Sequence, residues 1–167
     1  AYVAPGQTIN LSMGGIGTQI AGTDTISVAV GRDLSVLVGG GAPQKVSAGL
    51  SSTRLGGGPP NASDVIIFNN YIVLAAADRS GIAYWAGPGE FLAESWQLGR
   101  DFREAEAKPD PLIALSATAS LLFMYGTQTI QTFIADADET FAFQNTLERG
   151  LSSKDSIVRY EIGRAHV

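Results

Sequence analysis

Near the start of the chain, apolar residues alternate with small or polar ones. Residues 26–30 and 34–38 both carry Ile, Val or Leu at every second position. An alternation with period two is typical of a half-buried β-strand. Gly31 begins a turn between the two segments, and three glycines at 39–41 follow the second. Gln44 to Ala48 is predicted as a third strand.

Two later parts of the chain repeat this plan of three apolar runs separated by turns. The runs lie at 65–68, 71–75 and 82–85 in the second part, and at 112–115, 121–125 and 129–133 in the third. Asn69 and Asn70 supply a turn whose residues tolerate a positive φ. Short runs bounded by such turn residues predict antiparallel strands.

The three units start at residues 26, 65 and 112, which places their starts 39 and 47 residues apart. Repeats of β-propellers are about 40–50 residues long. We therefore predict an all-β fold of antiparallel three- to four-stranded meander units, forming a partial β-propeller. The units lie near 26–48, 65–86 and 112–134, and Phe141 to Thr146 is predicted to start another near 141. A β-sandwich is the alternative, because regularly spaced short strands are also its signature.

Two stretches between the units are predicted as connections. Ser51 to Ser63 contains three consecutive glycines and two prolines, which favour a loop. Gly87 to Lys108 is predicted as a long connection between blades, with a short strand near Phe102 to Glu106.

Both ends of the chain indicate a fragment. It starts at Ala1 rather than at a methionine, and its last six residues, 162–167, resemble the translation of a sequencing adapter. We expect residues 1–161 to be a fragment of a propeller domain and 162–167 to be a non-native read-through tail. His166, the only histidine, lies in that tail.

Composition narrows the possible functions. The formal charge is -5, and the chain lacks the Lys/Arg cluster typical of proteins that grip nucleic acid. Without cysteine, and with its only histidine in the tail, a structural zinc site or a His-dependent triad is not expected. We predict no cofactor, no metal site and no membrane insertion, since no apolar run reaches about 18 residues.

Carboxylates are the remaining candidates for chemistry, because glycoside cleavage needs only two of them. Six lie between the second and third units, at Glu90, Glu94, Asp101, Glu104, Glu106 and Asp110. Trp85 and Trp96 are near them in sequence, and aromatic platforms can hold sugars. A carbohydrate-binding or glycoside-cleaving propeller is therefore the alternative function, with Glu104 and Asp110 as the pair to examine. A solvated connection between blades explains the same residues without catalysis.

A second acidic group, formed by Asp136, Asp138 and Glu139, offers oxygens of the kind that calcium prefers. The calcium-loop motif is not completed here, so an exposed acidic turn is the favoured interpretation.

Two segments in order resemble a known protein family. The first runs from Phe102 to Asp110 (Phe-Arg-Glu-Ala-Glu-Ala-Lys-Pro-Asp) and is followed by an apolar strand. The second is Tyr125 to Phe133 (Tyr-Gly-Thr-Gln-Thr-Ile-Gln-Thr-Phe). Together they are similar to motifs of the packaged-DNA stabilisation proteins of P22-like phages, which form the tail hub or nozzle. Tyr125 stands where the family has Phe, and Gln131 replaces an acidic residue. The motif residues are Phe102, Ala105, Glu106, Pro109, Asp110, Tyr125, Gly126, Thr129, Ile130 and Phe133.

This resemblance implies a structural protein of a short-tailed phage virion rather than an enzyme, made in the cytoplasm of the bacterial host. Proteins of the family are propeller-based and assemble as rings, in contact with phage adaptor and tail-tip proteins. DNA passes through the ring without sequence-specific binding, which suits an acidic chain. Glu106 and Asp110 are then expected to be loop groups that accept backbone or Arg hydrogen bonds at the start of a blade.

Overall fold

The computed structural model describes residues 26–31, 34–47, 52–89, 93–104 and 110–157. These residues form β-strands, together with one 3-10 helix at Lys154–Ser156. The strands are β1 (Ser27–Val30), β2 (Leu34–Val38), β3 (Gln44–Ser47), β4 (Ser52–Arg54), β5 (Ala62–Phe68), β6 (Tyr71–Ala76), β7 (Ile82–Trp85), β8 (Phe102–Glu104), β9 (Leu112–Ala117), β10 (Leu122–Gly126), β11 (Ile130–Asp136) and β12 (Thr140–Leu147).

The strands form three four-stranded sheets, each made from four strands that are consecutive in the chain. Every strand pairs antiparallel with the next one in its sheet. We call them blade 1 (β1–β4), blade 2 (β5–β8) and blade 3 (β9–β12). The predicted all-β fold of antiparallel meander units is confirmed, and each unit has four strands.

The first strands of the blades lie together. β1 packs on β5, and β5 packs on β9. Sheets that meet along their first strands and spread outward are arranged as in a β-propeller, rather than face to face in two layers as in a sandwich. The described residues therefore form a partial β-propeller of three blades.

Blade 2 is covered on both faces. On one face, Val65, Ile72 and Leu74 pack with Val36 and Val38 of blade 1. On the other, a second apolar cluster joins blades 2 and 3, and it contains Ile66, Phe68, Val73, Ala75, Ala83, Trp85, Leu112, Leu115, Leu122, Met124, Phe133 and Phe141. This double burial explains why residues 65–68 of β5 and residues 71–76 of β6 are continuous apolar runs, whereas β1 alternates.

Blade 1, unlike blade 2, exposes apolar side chains on its outward face. Ile26, Val28 and Val30 are exposed at 53%, 51% and 69%, while Ala29 between them packs in the cluster with blade 2. The alternation thus places the larger apolar side chains on the exposed face and the small Ala29 on the covered face. Among the described residues, no helix is long and apolar enough to cross a membrane.

The fourth strand of each blade differs from what the sequence predicts. Ser52–Arg54 is β4, so the prediction of a loop from Ser51 to Ser63 is wrong there, and β5 already begins at Ala62. Phe102–Glu104 is β8 and pairs with β7, so the short strand belongs to blade 2 instead of lying in a connection. Both strands are three residues long, too short to show a hydrophobic period.

The prediction that a further unit starts near Phe141 is also wrong. The strand exists, as β12, but it pairs with β11 along its whole length and completes blade 3. Two residues of β12 oppose one of β11 near Phe133, where a bulge shifts the register. Because the sequence pattern predicts only three strands for each unit, it assigns β12 to a further unit.

Phe141 provides the test of the packing between blades 2 and 3. Its ring is 1% exposed and its centroid lies 4.9 Å from that of Trp85 and 5.6 Å from that of Phe68. We expect Phe141→Ala to lower the free energy of unfolding by about 3–5 kcal/mol, through lost burial and the cavity left behind. Chemical denaturation of the chain measures this change.

Phe143 is the matched control, two residues along the same strand and 53% exposed. Phe143→Ala should cost about 1 kcal/mol or less, since only its ring contact with Phe133 is lost. Equal losses for the two variants would contradict the assignment of Phe141 to the core.

Candidate functional site

The two motif segments meet at Asp110, which lies just before β9 and is 3% exposed. Its Oδ1 accepts hydrogen bonds from the Thr127 amide at 2.7 Å and the Thr127 hydroxyl at 2.5 Å. Its Oδ2 accepts from the Gln128 amide at 2.9 Å, the Thr129 amide at 2.7 Å and the Thr129 hydroxyl at 2.9 Å. One carboxylate therefore receives five hydrogen bonds from the turn between β10 and β11.

The turn is shaped to receive this carboxylate. The Gly126 amide donates to the Thr129 carbonyl at 2.8 Å, which closes the loop and aims the intervening N–H groups inward. A Cβ at Gly126 would collide with the Asp110 side chain. The Gly126 carbonyl accepts from the Leu151 amide at 2.8 Å, so the segment after β12 is attached to the same turn.

The hydrogen bonds also set the charge state of Asp110. Burial on its own would raise the pKa of this carboxyl, but the bonds from Thr127, Gln128 and Thr129 favour the ionised form and together outweigh it. The pKa of Asp110 consequently lies below its ordinary value. An ionised carboxylate with both oxygens occupied is a structural anchor and is not free to transfer a proton.

The other motif residues within the described ranges are structural neighbours of this turn or of the strands beside it. The Tyr125 hydroxyl forms a hydrogen bond with the Ser116 hydroxyl at 2.9 Å. Ile130 lies opposite Tyr125 on the neighbouring strand β11. Phe133 is buried in the cluster between blades 2 and 3. Phe102 lies on β8, with its ring 6.1 Å from that of Tyr84. Ala105, Glu106 and Pro109 lie outside the described residues, as do 162–167.

The structure does not bring together the groups of the carbohydrate hypothesis. Trp85 and Trp96 are 5% and 9% exposed and belong to different clusters, on opposite faces of blade 2. Both indoles are therefore core side chains. Asp110 is occupied by its turn, and Glu104 is exposed at the end of β8.

The remaining described carboxylates of that connection are held in ion pairs. Asp101 accepts from Arg100 Nε at 2.6 Å and Nη2 at 3.0 Å. Glu94 pairs with Lys45 of blade 1, and the hydrogen bond from Lys45 lowers the pKa of Glu94. Glu90 lies outside the described residues.

The acidic turn between β11 and β12 is organised by its own backbone. Asp136 Oδ1 accepts from the amides of Asp138 and Glu139, and these bonds lower the pKa of Asp136. Glu139 Oε2 accepts from Arg103 Nη2 at 2.5 Å, linking the turn to blade 2. In the part of the chain that is described, no three His, Cys, Asp or Glu side chains are grouped to hold a metal.

Asp64 is a site residue that the sequence predictions missed. It lies in β5, is 8% exposed, and its Oδ2 accepts from the Leu115 amide of blade 3 at 2.7 Å. This hydrogen bond joins the first strands of two blades. The signal available was a lone charge beside the apolar run 65–68, since a buried carboxylate must find hydrogen-bond donors.

Lys154, on the 3-10 helix after blade 3, was also missed. Its Nζ donates to the Ser63 carbonyl at 3.0 Å and to the Ser27 hydroxyl at 3.2 Å. One side chain thus joins blades 1 and 2. No pattern in the sequence indicates these two hydrogen bonds, because their partners lie 91 and 127 positions from Lys154.

A cavity of about 430 Å³ lies between blades 1 and 2, next to the turn that follows β6. Asn61, Asp78 and Tyr84 contribute its polar groups. Asp78 Oδ1 accepts from the Ser80 amide at 3.0 Å, and hydrogen bonds from Ser80 lower the pKa of Asp78.

Replacing Asp110 by Asn tests the anchor. The amide presents donors to the donors of the turn, so we expect a loss of about 3 kcal/mol in the free energy of unfolding at neutral pH. The folded-state pKa is depressed, so the contribution of Asp110 is complete above the unfolded value of about 3.9 and disappears as the pH falls through the folded value. The difference between wild type and Asp110→Asn should therefore shrink below about pH 4, as measured by denaturation at a series of pH values.

Asp138→Asn is the control, because Asp138 is exposed and its carboxylate lies in the acidic turn, far along the chain from Asp110. It should change stability by about 0.5 kcal/mol or less. An Asp110→Asn chain as stable as this control would show that the five hydrogen bonds do not anchor the turn.

No protein-family model matches the chain, and no curated protein matches it. Among solved structures it is similar to Hsv2 from Kluyveromyces lactis, with a TM-score of 0.49 at 7% identity, covering 75% of this chain and 37% of that one. It is also similar to BamB from Moraxella catarrhalis, with a TM-score of 0.48 at 13% identity over 75% and 37%. The chain thus spans less than half the length of these structures. Its description as a partial β-propeller rests on its own sheets, and the likeness assigns no function.

Proposed function

We propose that this chain is a structural part of a short-tailed phage virion, a blade-forming segment of the tail hub that stabilises packaged DNA. The proposal starts from the two segments that resemble this family, Phe102 to Asp110 and Tyr125 to Phe133. On this proposal it is not an enzyme, and it acts in a ring of identical subunits with adaptor and tail-tip proteins.

The observation that carries the proposal is the hydrogen bonding between the two segments. Asp110, at the end of the first, accepts five bonds from Thr127, Gln128 and Thr129 of the second. The motif residues therefore stabilise a blade, and this supports a structural role for the chain. A binding or catalytic motif would instead present such a carboxylate to a cavity.

The charge of the chain also supports the proposal. The chain has 11 Lys and Arg residues against 16 Asp and Glu residues, so its formal charge is -5 and its acidic groups outnumber its cations. A passage that DNA must slide through should hold few phosphate contacts, because each one adds salt-dependent affinity.

Assembly of the protein that carries this chain tests the proposal. We expect it to form rings, visible by electron microscopy, and to be present in purified virions by mass spectrometry. Asp110→Asn should reduce ring formation about tenfold through the lost anchor, while Asp138→Asn should leave it unchanged.

Two results would count against a tail-hub role. One is a gene neighbourhood that carries no portal, adaptor or tail genes. The other is a protein that stays monomeric at all concentrations and is absent from virions.

A carbohydrate-binding propeller is the second candidate, and the cavity between blades 1 and 2 favours it. Its volume of about 430 Å³ falls within the roughly 300–1,000 Å³ of small-molecule sites. An amide (Asn61), a carboxylate (Asp78) and a phenol (Tyr84) line it. With one carboxylate instead of a pair, such a site would bind a sugar without cleaving it.

Glycan-array binding tests this second candidate. Asn61→Ala should abolish any glycan signal, because it removes a lining amide and leaves the backbone bond from the Ala77 amide to the Asn61 carbonyl intact. Gln97→Ala, at an exposed position away from the cavity, is the control. A wild-type chain that binds no glycan, or an Asn61→Ala chain that binds as well as wild type, would remove this candidate.

A further inference from the structure

The three blades follow one another in a single direction, so each has a front face, toward the blade before it, and a back face, toward the blade after it. The back face of blade 1 packs on the front face of blade 2. The back face of blade 2 packs on the front face of blade 3 in the same way. Among the described residues, no sheet packs on the front face of blade 1 or on the back face of blade 3. These two faces are therefore the two halves of an interface that the chain already forms twice.

The front face of blade 1 is aliphatic along its first strand. Ile26, Val28 and Val30 lie on it, and each of the three is more than half exposed. In blade 2, the front-face residue Val65 of the first strand is buried against blade 1. A row of exposed apolar side chains on a sheet face marks a surface for packing against another element. Blade 1 thus presents to solvent the kind of face that blade 2 buries.

The back face of blade 3 is aromatic at its centre. Phe123 and Tyr125 alternate along β10 with Leu122 and Met124, which are buried toward blade 2. The rings of Phe123 and Tyr125 are stacked, with their centroids 6.1 Å apart. Ile130 lies beside them, opposite Tyr125 on β11. All three outward side chains are only half-buried, so this face also keeps apolar surface in contact with water.

We propose that a second copy of this chain covers both faces, with the back face of blade 3 of each copy packed on the front face of blade 1 of its partner. A head-to-tail contact of this kind joins two different surfaces and forms a ring if the rotation closes. Propellers typically have about four to eight blades. Each copy supplies three blades, so a ring of two copies, with six blades, is the one that fits this range. The inference does not rest on the tail-hub proposal, because it follows from the packing between blades alone.

Size-exclusion chromatography with light scattering, applied to the 167-residue chain at a series of concentrations, tests this ring. We expect wild type to have twice the mass of one copy. Val30→Asp, on the front face of blade 1, should raise the dissociation constant of the pair about hundredfold, because it places an unpaired charge in an apolar contact. Phe123→Asp, on the back face of blade 3, should do the same. Phe143→Asp is the control and should pair like wild type, because Phe143 is a similarly exposed apolar residue on the front face of blade 3, opposite Phe133.

Mixing the two interface variants tests the head-to-tail arrangement. Val30→Asp keeps its back face and Phe123→Asp keeps its front face, so the mixture should recover pairs through one intact contact, while each variant alone stays monomeric. A variant that pairs with itself as well as wild type does would show that like faces meet, and would overturn the proposal. A wild-type chain that stays monomeric at its highest soluble concentration, or that forms particles larger than two copies, would overturn it as well. Val30 is exposed, so Val30→Asp should fold as wild type by circular dichroism and decides the question even if Phe123→Asp does not fold.

Discussion

The packing of three first strands against one another is the constraint on which the rest of this structure depends. β5 lies between β1 and β9, so most side chains on the inner strands of blade 2, β5 and β6, are buried against a neighbouring blade. A sheet in this position must be apolar on both faces, whereas the flanking sheets need only one such face. A buried charge between the first strands needs hydrogen-bond donors, and the Asp64 carboxylate finds one in the Leu115 amide.

The part of the fold that could be predicted from sequence follows from the same constraint. The inner strands of blades 2 and 3 carry strong apolar patterns because both demand burial. Asn69 and Asn70 adopt the positive φ expected of their turn, at 45° and 68°. The outer strands β4 and β8 pair along one edge and remain largely exposed, so their three residues need no apolar period. β12 was visible as a strand, but nothing in its own residues says which sheet it joins.

The site was partly predictable for a similar reason. Asp110, next to prolines and before an apolar strand, indicates a loop carboxylate that needs donors. Its partners, Thr127 to Thr129, lie 17 to 19 positions away and become its neighbours only once β9 and β10 have paired. Asp64, Ser63 and Lys154 depend on contacts between blades, which the local pattern does not encode.

The close fit between Gly126 and the Asp110 carboxylate has a consequence for how such a blade changes over evolution. The atoms nearest to a side chain added at position 126 would be those of the Asp110 carboxylate, which blocks it. Loss of the carboxylate removes both the anchor and the obstacle, so a lineage that has lost it can fill the gap with a larger residue at 126 and hold the turn by apolar contact instead. Returning to the acidic form then requires two changes in a fixed order, glycine first, which makes the hydrogen-bonded turn easy to lose and slow to regain.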